Sequence, residues 1–260
     1  MKGQRLSEEE ALGRLNLSNL FSLWESVGKA NGALENHRGF RRIYNHGSSW
    51  PNRIWLTGEE DEERARSALE STAGYLTRKD EPILLVMTEK QVAFSGDWRK
   101  KQGLSLLFAQ TGMVLEVEGV SAVPREGPLE VIAVKTSRES SLWSQVASEA
   151  FGYSVDSAVV HNLVDLSEIT LYLGFLPEGL AGTALLCTHC GVAGFHMAGT
   201  RPEHRRKGVA RGMMTHLIGE ARARGLRHAT LQASAMGEPL YSQLGFRKQF
   251  VLHNYVFPIR

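Results

Sequence analysis

One order of elements occurs twice along this chain, and no other feature limits its fold as much. Residues 52–118 read as strand, loop, long helix, strand, short helix, strand, and residues 193–257 read in the same order. Residue identity between the two stretches is poor, so only the pattern repeats, which is what a duplicated and diverged unit leaves behind. The chain has 260 residues, room for about two domains at roughly 150 residues each. Pro124 and Gly127-Pro128 punctuate its middle. They place the expected boundary between a domain at 1–125 and another at 126–260.

Spacing predicts the elements. Leu17, Leu20, Phe21, Trp24 and Val27 fall on one helical face that closes at Asn31-Gly32. Arg53–Leu56 is a strand, and the polar run from Gly58 to Arg64 opens a helix reaching about Thr77. Ile83–Met87 is a buried strand, followed by a helix through Leu104, Leu107 and Phe108 and a strand over Met113–Val117. In the second half Glu130–Val134 is a strand and Trp143–Phe151 a helix. Ile169–Gly174 alternates with period two. Leu180–Cys187 and Val192–Thr200 form a hairpin through the tight turn at 188–191. The clearest helix follows, with Val209, Ala210, Met213, Met214, Leu217, Ile218 and Ala221 on one apolar stripe and a stop at Gly225. His228–Ala233 is a strand, Pro239–Leu244 a short helix, and strand returns from Phe246. Strands interleave with helices along both halves, so the fold class is α/β (α+β), with a central sheet flanked by helices that the resemblance described below makes mixed and largely antiparallel.

Apolar residues make up 42% of the chain and charged residues 22%, which excludes wholesale disorder and a fibrous protein. Thirty Lys and Arg against 28 Asp and Glu leave a net charge of +2. No whole-chain field favours nucleic acid or an acidic membrane, so neither is an expected partner and any anion site must be local. The longest apolar runs, such as Ile83–Met87 and Thr183–Cys187, fall well short of the ~20 residues a membrane helix needs. The N-terminal MKGQRLSEEE has no apolar core of a signal peptide, so a cytoplasmic location is expected. Cys187 and Cys190 are the two cysteines, too few for a disulfide framework or a closed four-ligand zinc site. No metal is expected.

Chemistry concentrates between His196 and Arg211. There a strand ends, a basic turn with a glycine follows, and a helix begins. This order aims successive backbone N–H groups and the positive helix end at one point, where phosphate can bind. Arg205, Arg206, Lys207 and Arg211 add cations, and Gly208 keeps a Cβ out of the way. The spacing fits neither a Walker A loop nor a dinucleotide fingerprint.

Arg205-x-x-Gly208-x-Ala210 resembles the pyrophosphate-binding motif of the GNAT (Gcn5-related N-acetyltransferase) superfamily, Gln/Arg-x-x-Gly-x-Gly/Ala. Thr200-Arg201-Pro202-Glu203 resembles the strand end and proline turn before it, and Leu240-Tyr241-Ser242-Gln243-Leu244-Gly245-Phe246 resembles the family's Leu-Tyr-x-x-Leu-Gly-Phe signature. Three matches in order, over roughly residues 130–260, are more specific than any one. Two departures stand out: Ala210 replaces the usual last glycine, and Ser234 lies where many members have asparagine.

The resemblance implies two GNAT-like domains in tandem, the N-terminal one degenerate. It also implies transfer of an acyl group, most simply acetyl, from acetyl-CoA as co-substrate to an amine of a small molecule or peptide. Met197, Ala198, Gly199 and Thr200 would pair with the pantetheine arm. Arg205, Arg206, Lys207, Gly208, Val209, Ala210 and Arg211 would hold the pyrophosphate. Tyr241 matches the family's general acid, and His196 stands where some members place a general base; Glu168 and Glu178 have no positional support for that role. In the N-terminal half the equivalent turn, Thr57–Arg64, carries five carboxylates, which would repel a pyrophosphate, so one cofactor site per chain is expected. A non-catalytic acyl-CoA-binding module and an acyltransferase using another donor are the alternatives. The acceptor and the oligomeric state, a homodimer included, stay open at this point.

Overall fold

The computed structural model describes residues 7–57, 62–76, 82–119 and 127–257. Helix α1 spans Glu8–Ala30. Ser7 caps it and forms a reciprocal capping box with Glu10, and Glu8–Glu10 sit at the positive end of the helix dipole. Then come β1 (Leu34–His37), β2 (Phe40–Ile43), β3 (Arg53–Leu56), α2 (Glu62–Thr72) and β4 (Leu84–Thr88). Two short helices, α3 (Glu89–Phe94) and α4 (Gly96–Gln102), lead into β5 (Ser105–Glu116). The second half runs β6 (Glu130–Ala133), α5 (Ser137–Phe151), α6 (Ser157–His161), β7 (Ile169–Leu176), β8 (Gly179–His189) and β9 (Val192–Thr200). It finishes with α7 (Val209–Ala223), β10 (His228–Ala233), α8 (Glu238–Gln243) and β11 (Arg247–Val256).

All eleven strands join one sheet in the order β1-β2-β3-β4-β11-β5-β10-β9-β8-β7-β6. The order is symmetric in kind about its centre. On one side β3 and β4 are a parallel pair, and on the other β9 and β10 are; the other pairings are antiparallel. The two central strands are exchanged: β11, from the second half, lies between β4 and β5, and β5, from the first half, lies between β11 and β10. The expected mixed, mainly antiparallel sheet with repeated order is what forms.

Three apolar clusters hold the layers together. One lies between α7 and strands β5, β8 and β10, with Met213, Met214, Leu217 and Ile218 against Met113, Leu186 and Leu231. Another sits under α2. The third crosses the seam, where Leu20, Leu23, Trp24 and Val27 of α1 meet Trp143, Leu185 and Cys187. Each fully buried aliphatic or aromatic side chain contributes roughly 1.5–3 kcal/mol of transfer free energy, so the halves share a core.

One expected element is wrong. The helix through Leu104, Leu107 and Phe108 is not there: α4 stops at Gly103, whose φ of 70° is left-handed, and residues 105–116 form β5. Leu106 and Phe108 pair with Tyr255 and Asn254 of β11. The expected helix start over 58–61, the end at Thr77 and the punctuation at Pro124 lie outside the described residues.

Candidate active site

The parallel pair β9–β10 separates early. Val192, Ala193 and Gly194 pair with His228, Ala229 and Thr230, and pairing stops there. Beyond that point Leu231–Ala233 pair only with β5, while β9 runs on for six residues bonded only to β8. A bulge helps it away: Thr183 pairs with Gly199 but Leu185 with His196, and Met197 adopts φ 49°. Extra residues of this kind bend a strand and increase its twist. Thr183 Oγ1 donates to the Met197 carbonyl at 3.0 Å, so the bulge is satisfied from inside. Among the described residues, one edge of 195–200 is thereby left without a strand partner.

A cavity of about 1070 Å³ opens along that edge. At one end is the basic turn. Pro202–His204 form one 3-10 turn, Arg206 has φ 63° and Gly208 φ 79°, and α7 starts at Val209 with no side chain capping it. Nothing lies within 4 Å of where a Cβ on Gly208 would be, so here the left-handed backbone requires the glycine. Uncapped N–H groups and the helix dipole give this end positive potential without any side chain.

The cations of the turn divide into two groups. Arg205, Arg206 and Arg211 line the cavity; Arg205 Nη2 also donates to the Ala150 carbonyl at 3.3 Å, and Arg211 bonds Gln243. Lys207 does not line it and pairs with Glu178 at 3.1 Å. Arg201 is likewise held by Glu149 at 2.6 Å and Glu203 at 3.2 Å. Of the sequence-predicted cofactor residues, the structure brings all but Lys207 to one wall.

Tyr241 and His196 line the same cavity. Tyr241 sits on α8, its ring edge-on to Phe246. A Cβ on Gly237 would come within 2.9 Å of that ring, so the glycine gives the tyrosine its place. Burial pushes the Tyr241 phenol above its ordinary value, which keeps it protonated at neutral pH. Ser234 lines the cavity too, and its hydroxyl accepts from the Gly237 N–H at 3.2 Å at the entry to α8.

His196 is buried, and burial depresses its pKa to about 3. Its Nε2 is 3.0 Å from Asn19 Oδ1. The Asn19 amide donates to the carbonyls of Cys187 at 2.9 Å and Val192 at 3.2 Å, so its oxygen faces the ring and Nε2 carries the proton. The imidazole is neutral at physiological pH, with Nδ1 unprotonated. Glu168 accepts from Ser26 and Glu178 faces Lys207; neither lines the cavity.

The far end is built largely from the first half of the chain, and sequence reasoning missed most of its particular residues. Arg53, Leu107, Phe108, Gln110 and Tyr153 were not singled out; they line that end together with Trp24 and Trp50, which the sequence offered as packing or pocket residues. Asn19 had a signal, because it is a polar residue on the apolar face of α1. Neither cysteine lines the cavity: both are free, Cys187 is buried with its thiol pushed up to about 12, and exposed Cys190 makes the hairpin turn at φ 48° beside Gly191 at 74°.

Comparison with known proteins agrees with this geometry. Residues 188–248, which hold β9, the turn and α8, match the family described as Acetyltransferase (GNAT) domain. A GCN5-related N-acetyltransferase from Kribbella flavida superposes with a TM-score of 0.68 at 14% identity, covering 94% of this chain and 95% of its own. Another from Sphaerobacter thermophilus gives 0.60 at 12% identity, covering 84% and 76%. A tandem GNAT protein from the clavulanic acid biosynthesis pathway gives 0.57 at 13%, covering 83% and 77%. No curated protein matches the sequence.

Proposed function

We propose that this chain, whose residues 188–248 match the GNAT acetyltransferase domain and whose fold is shared with GNAT proteins, is an acetyl-CoA-dependent N-acetyltransferase acting on a primary amine. The observation that carries the reading is the unpaired stretch of β9 running into an uncapped helix with a left-handed glycine. A molecule with amides along its length and a pyrophosphate at its end matches that wall part by part. Its amides can add to the free strand edge. Its pyrophosphate meets the amides of 206–210 and the guanidinium groups of Arg205, Arg206 and Arg211. Bound there, acetyl-CoA supplies an activated acetyl group as a thioester.

The protein's own work is proton handling and exclusion of water. The acceptor must reach the site as a free amine, and the departing sulfur must receive a proton. Tyr241, protonated and half-buried on the cavity wall, is the general acid for that sulfur. His196 is held neutral by burial and fixed by Asn19. With a pKa near 3 it has little driving force to keep a proton. Its role is to accept a hydrogen bond at Nδ1 and orient the amine or a water, while the amine's proton leaves to solvent.

Calorimetric titration with acetyl-CoA tests the cofactor, and amine-dependent release of free CoA thiol tests the chemistry. One site per chain with amine-dependent release is the expected result. Binding with no release for any amine would replace the enzyme by an acyl-CoA-binding module. No binding to the folded protein would overturn the reading.

A further inference from the structure

The far end of the cavity holds a cation that the acetyl-transfer reading does not use. Arg53 is the first residue of β3 and lines the cavity. Its Nη1 donates to the Asn52 carbonyl at 2.9 Å, and among the described residues it meets no carboxylate. Burial pulls its pKa below that of a free guanidinium, and the Tyr153 phenol acts on it in the opposite direction. An arginine stays charged even so. A half-buried guanidinium with one bond to a carbonyl and no counter-ion among the described residues is costly for a protein to keep unless something supplies the missing charge.

Two further observations fix what could supply it. Among the described residues no aspartate or glutamate lines the cavity at all. A polyamine or other polycation needs carboxylates for its second charge, and here it would face Arg53 instead. Arg53 is also placed on the acceptor side. Along β9 the wall opposite runs from Ala150 and Phe151 beside Gly199 to Tyr153, whose hydroxyl reaches the Met197 sulfur at 4.0 Å. Tyr153 acts on Arg53, so Arg53 belongs with the Tyr153 end of that wall, while Arg205 meets Ala150 at the other.

The support beneath Arg53 is rigid. Asn52 Oδ1 accepts from the Asn45 N–H at 2.8 Å, its amide donates to the Ser48 carbonyl at 2.7 Å, and Ser48 Oγ donates to the Trp50 carbonyl at 2.7 Å. Trp24, Trp50 and Phe108 surround the same region with apolar surface.

We infer that Arg53 is the anchor for a carboxylate on the acceptor, and that the acceptor class is a small amino acid with an apolar or aromatic side chain. The inference rests on the acetyltransferase reading. The planar guanidinium takes the carboxylate through paired N–H···O bonds, the indoles and Phe108 take the side chain, and the amine is left toward β9.

The test compares phenylalanine with phenethylamine, its decarboxylated counterpart, and with spermidine, in thiol-release assays. Acetyl-CoA binding is measured first by calorimetry, so that failure of the cofactor reading is seen separately. Phenylalanine is expected to exceed phenethylamine in kcat/KM by about 100-fold or more, the scale of a buried arginine–carboxylate pair. Arg53→Met should collapse that ratio towards one, and Arg53→Lys should restore part of it. If no acceptor turns over, calorimetry of phenylalanine against the CoA-loaded protein decides the matter: binding that Arg53→Met removes supports the anchor, and no binding overturns it. Equal use of acid and amine, preference for spermidine, or an Arg53→Met defect in acetyl-CoA affinity would each overturn it, the last by moving Arg53 to the cofactor's phosphates. The wild-type comparison stands even if the variant fails to fold.

Discussion

Each half of the chain contains a parallel strand pair joined through a helix, β3–β4 across α2 and β9–β10 across α7. Each pair is bonded over three residues. Past that point the halves differ. β3 ends one residue beyond its last partner, at Leu56, and an acidic run follows. β9 continues through a bulge, keeps a free edge for six residues and turns through a basic loop into α7. The same supersecondary unit thus gives a wall in one half and, on the proposed reading, the cofactor site in the other. The site comes from six more residues of strand and the sign of one loop's charge.

Gly208→Asp should erase the difference between the halves most completely. It puts a carboxylate where β9 meets α7 and forces a non-glycine residue to φ 79°. Acetyl-CoA affinity is expected to fall about 100-fold or more. Gly208→Ala, which carries only the backbone strain of about 1–2 kcal/mol, separates charge from conformation in the same calorimetric titration. Near-wild-type affinity for the aspartate variant would move the phosphate site elsewhere.

Tyr241→Phe should cost about 100-fold or more in kcat while acetyl-CoA affinity holds. Because burial raises the phenol's pKa, the wild-type alkaline limb, where the acid is lost, should lie above pH 10. Its persistence in the phenylalanine variant would remove Tyr241 from the reaction.

Asn19→Leu tests how far one half props up the other. It strips the carbonyls of Cys187 and Val192 and the His196 ring of their partner, and should lower stability by about 3 kcal/mol in denaturant unfolding. His196 also sets a pH signature. Its folded pKa is depressed to about 3 from 6.5, so the unfolded chain binds a proton that the native state refuses, and stability should fall as pH drops from about 6.5 towards 3. His196→Gln should flatten that part of the slope.

Lys207→Ala should have the smallest effect. Its exposed pair with Glu178 is worth at most about 1 kcal/mol, and acetyl-CoA affinity should change less than about threefold. A tenfold loss would put Lys207 on the phosphate and make its pairing with Glu178 a feature of the empty protein.

Local chemistry made much of this legible in advance. The limits of β9 and β10 follow from apolar runs bounded by Gly191, Arg201 and Gly225. The turn was readable because basic residues, a glycine and an apolar helical stripe follow one another. What escaped was non-local or unpatterned. Leu106–Phe108 belong to a strand whose outer half is exposed, so no alternation marks it and the apolar run imitates a helix. The exchange of β5 and β11 has no local signature, since each strand would read the same beside either neighbour. The hairpin β1–β2 is four residues a side, too short for a period to register. Arg53 looks like any charged residue opening a strand until the sheet brings Tyr153 beside it.

The exchanged strands also set an order of events at the ribosome. β4 and β5 are made more than a hundred residues before Arg247–Val256, the strand that fills the space between them. While the second half is still being synthesised, both present open backbone edges, the kind of template on which nascent chains stick to one another. Neither half can finish its sheet alone, so assembly waits for β11 and then closes both halves at once. A fragment cut at the middle of the chain would be left with an unfilled groove in one piece and a strand without a place in the other.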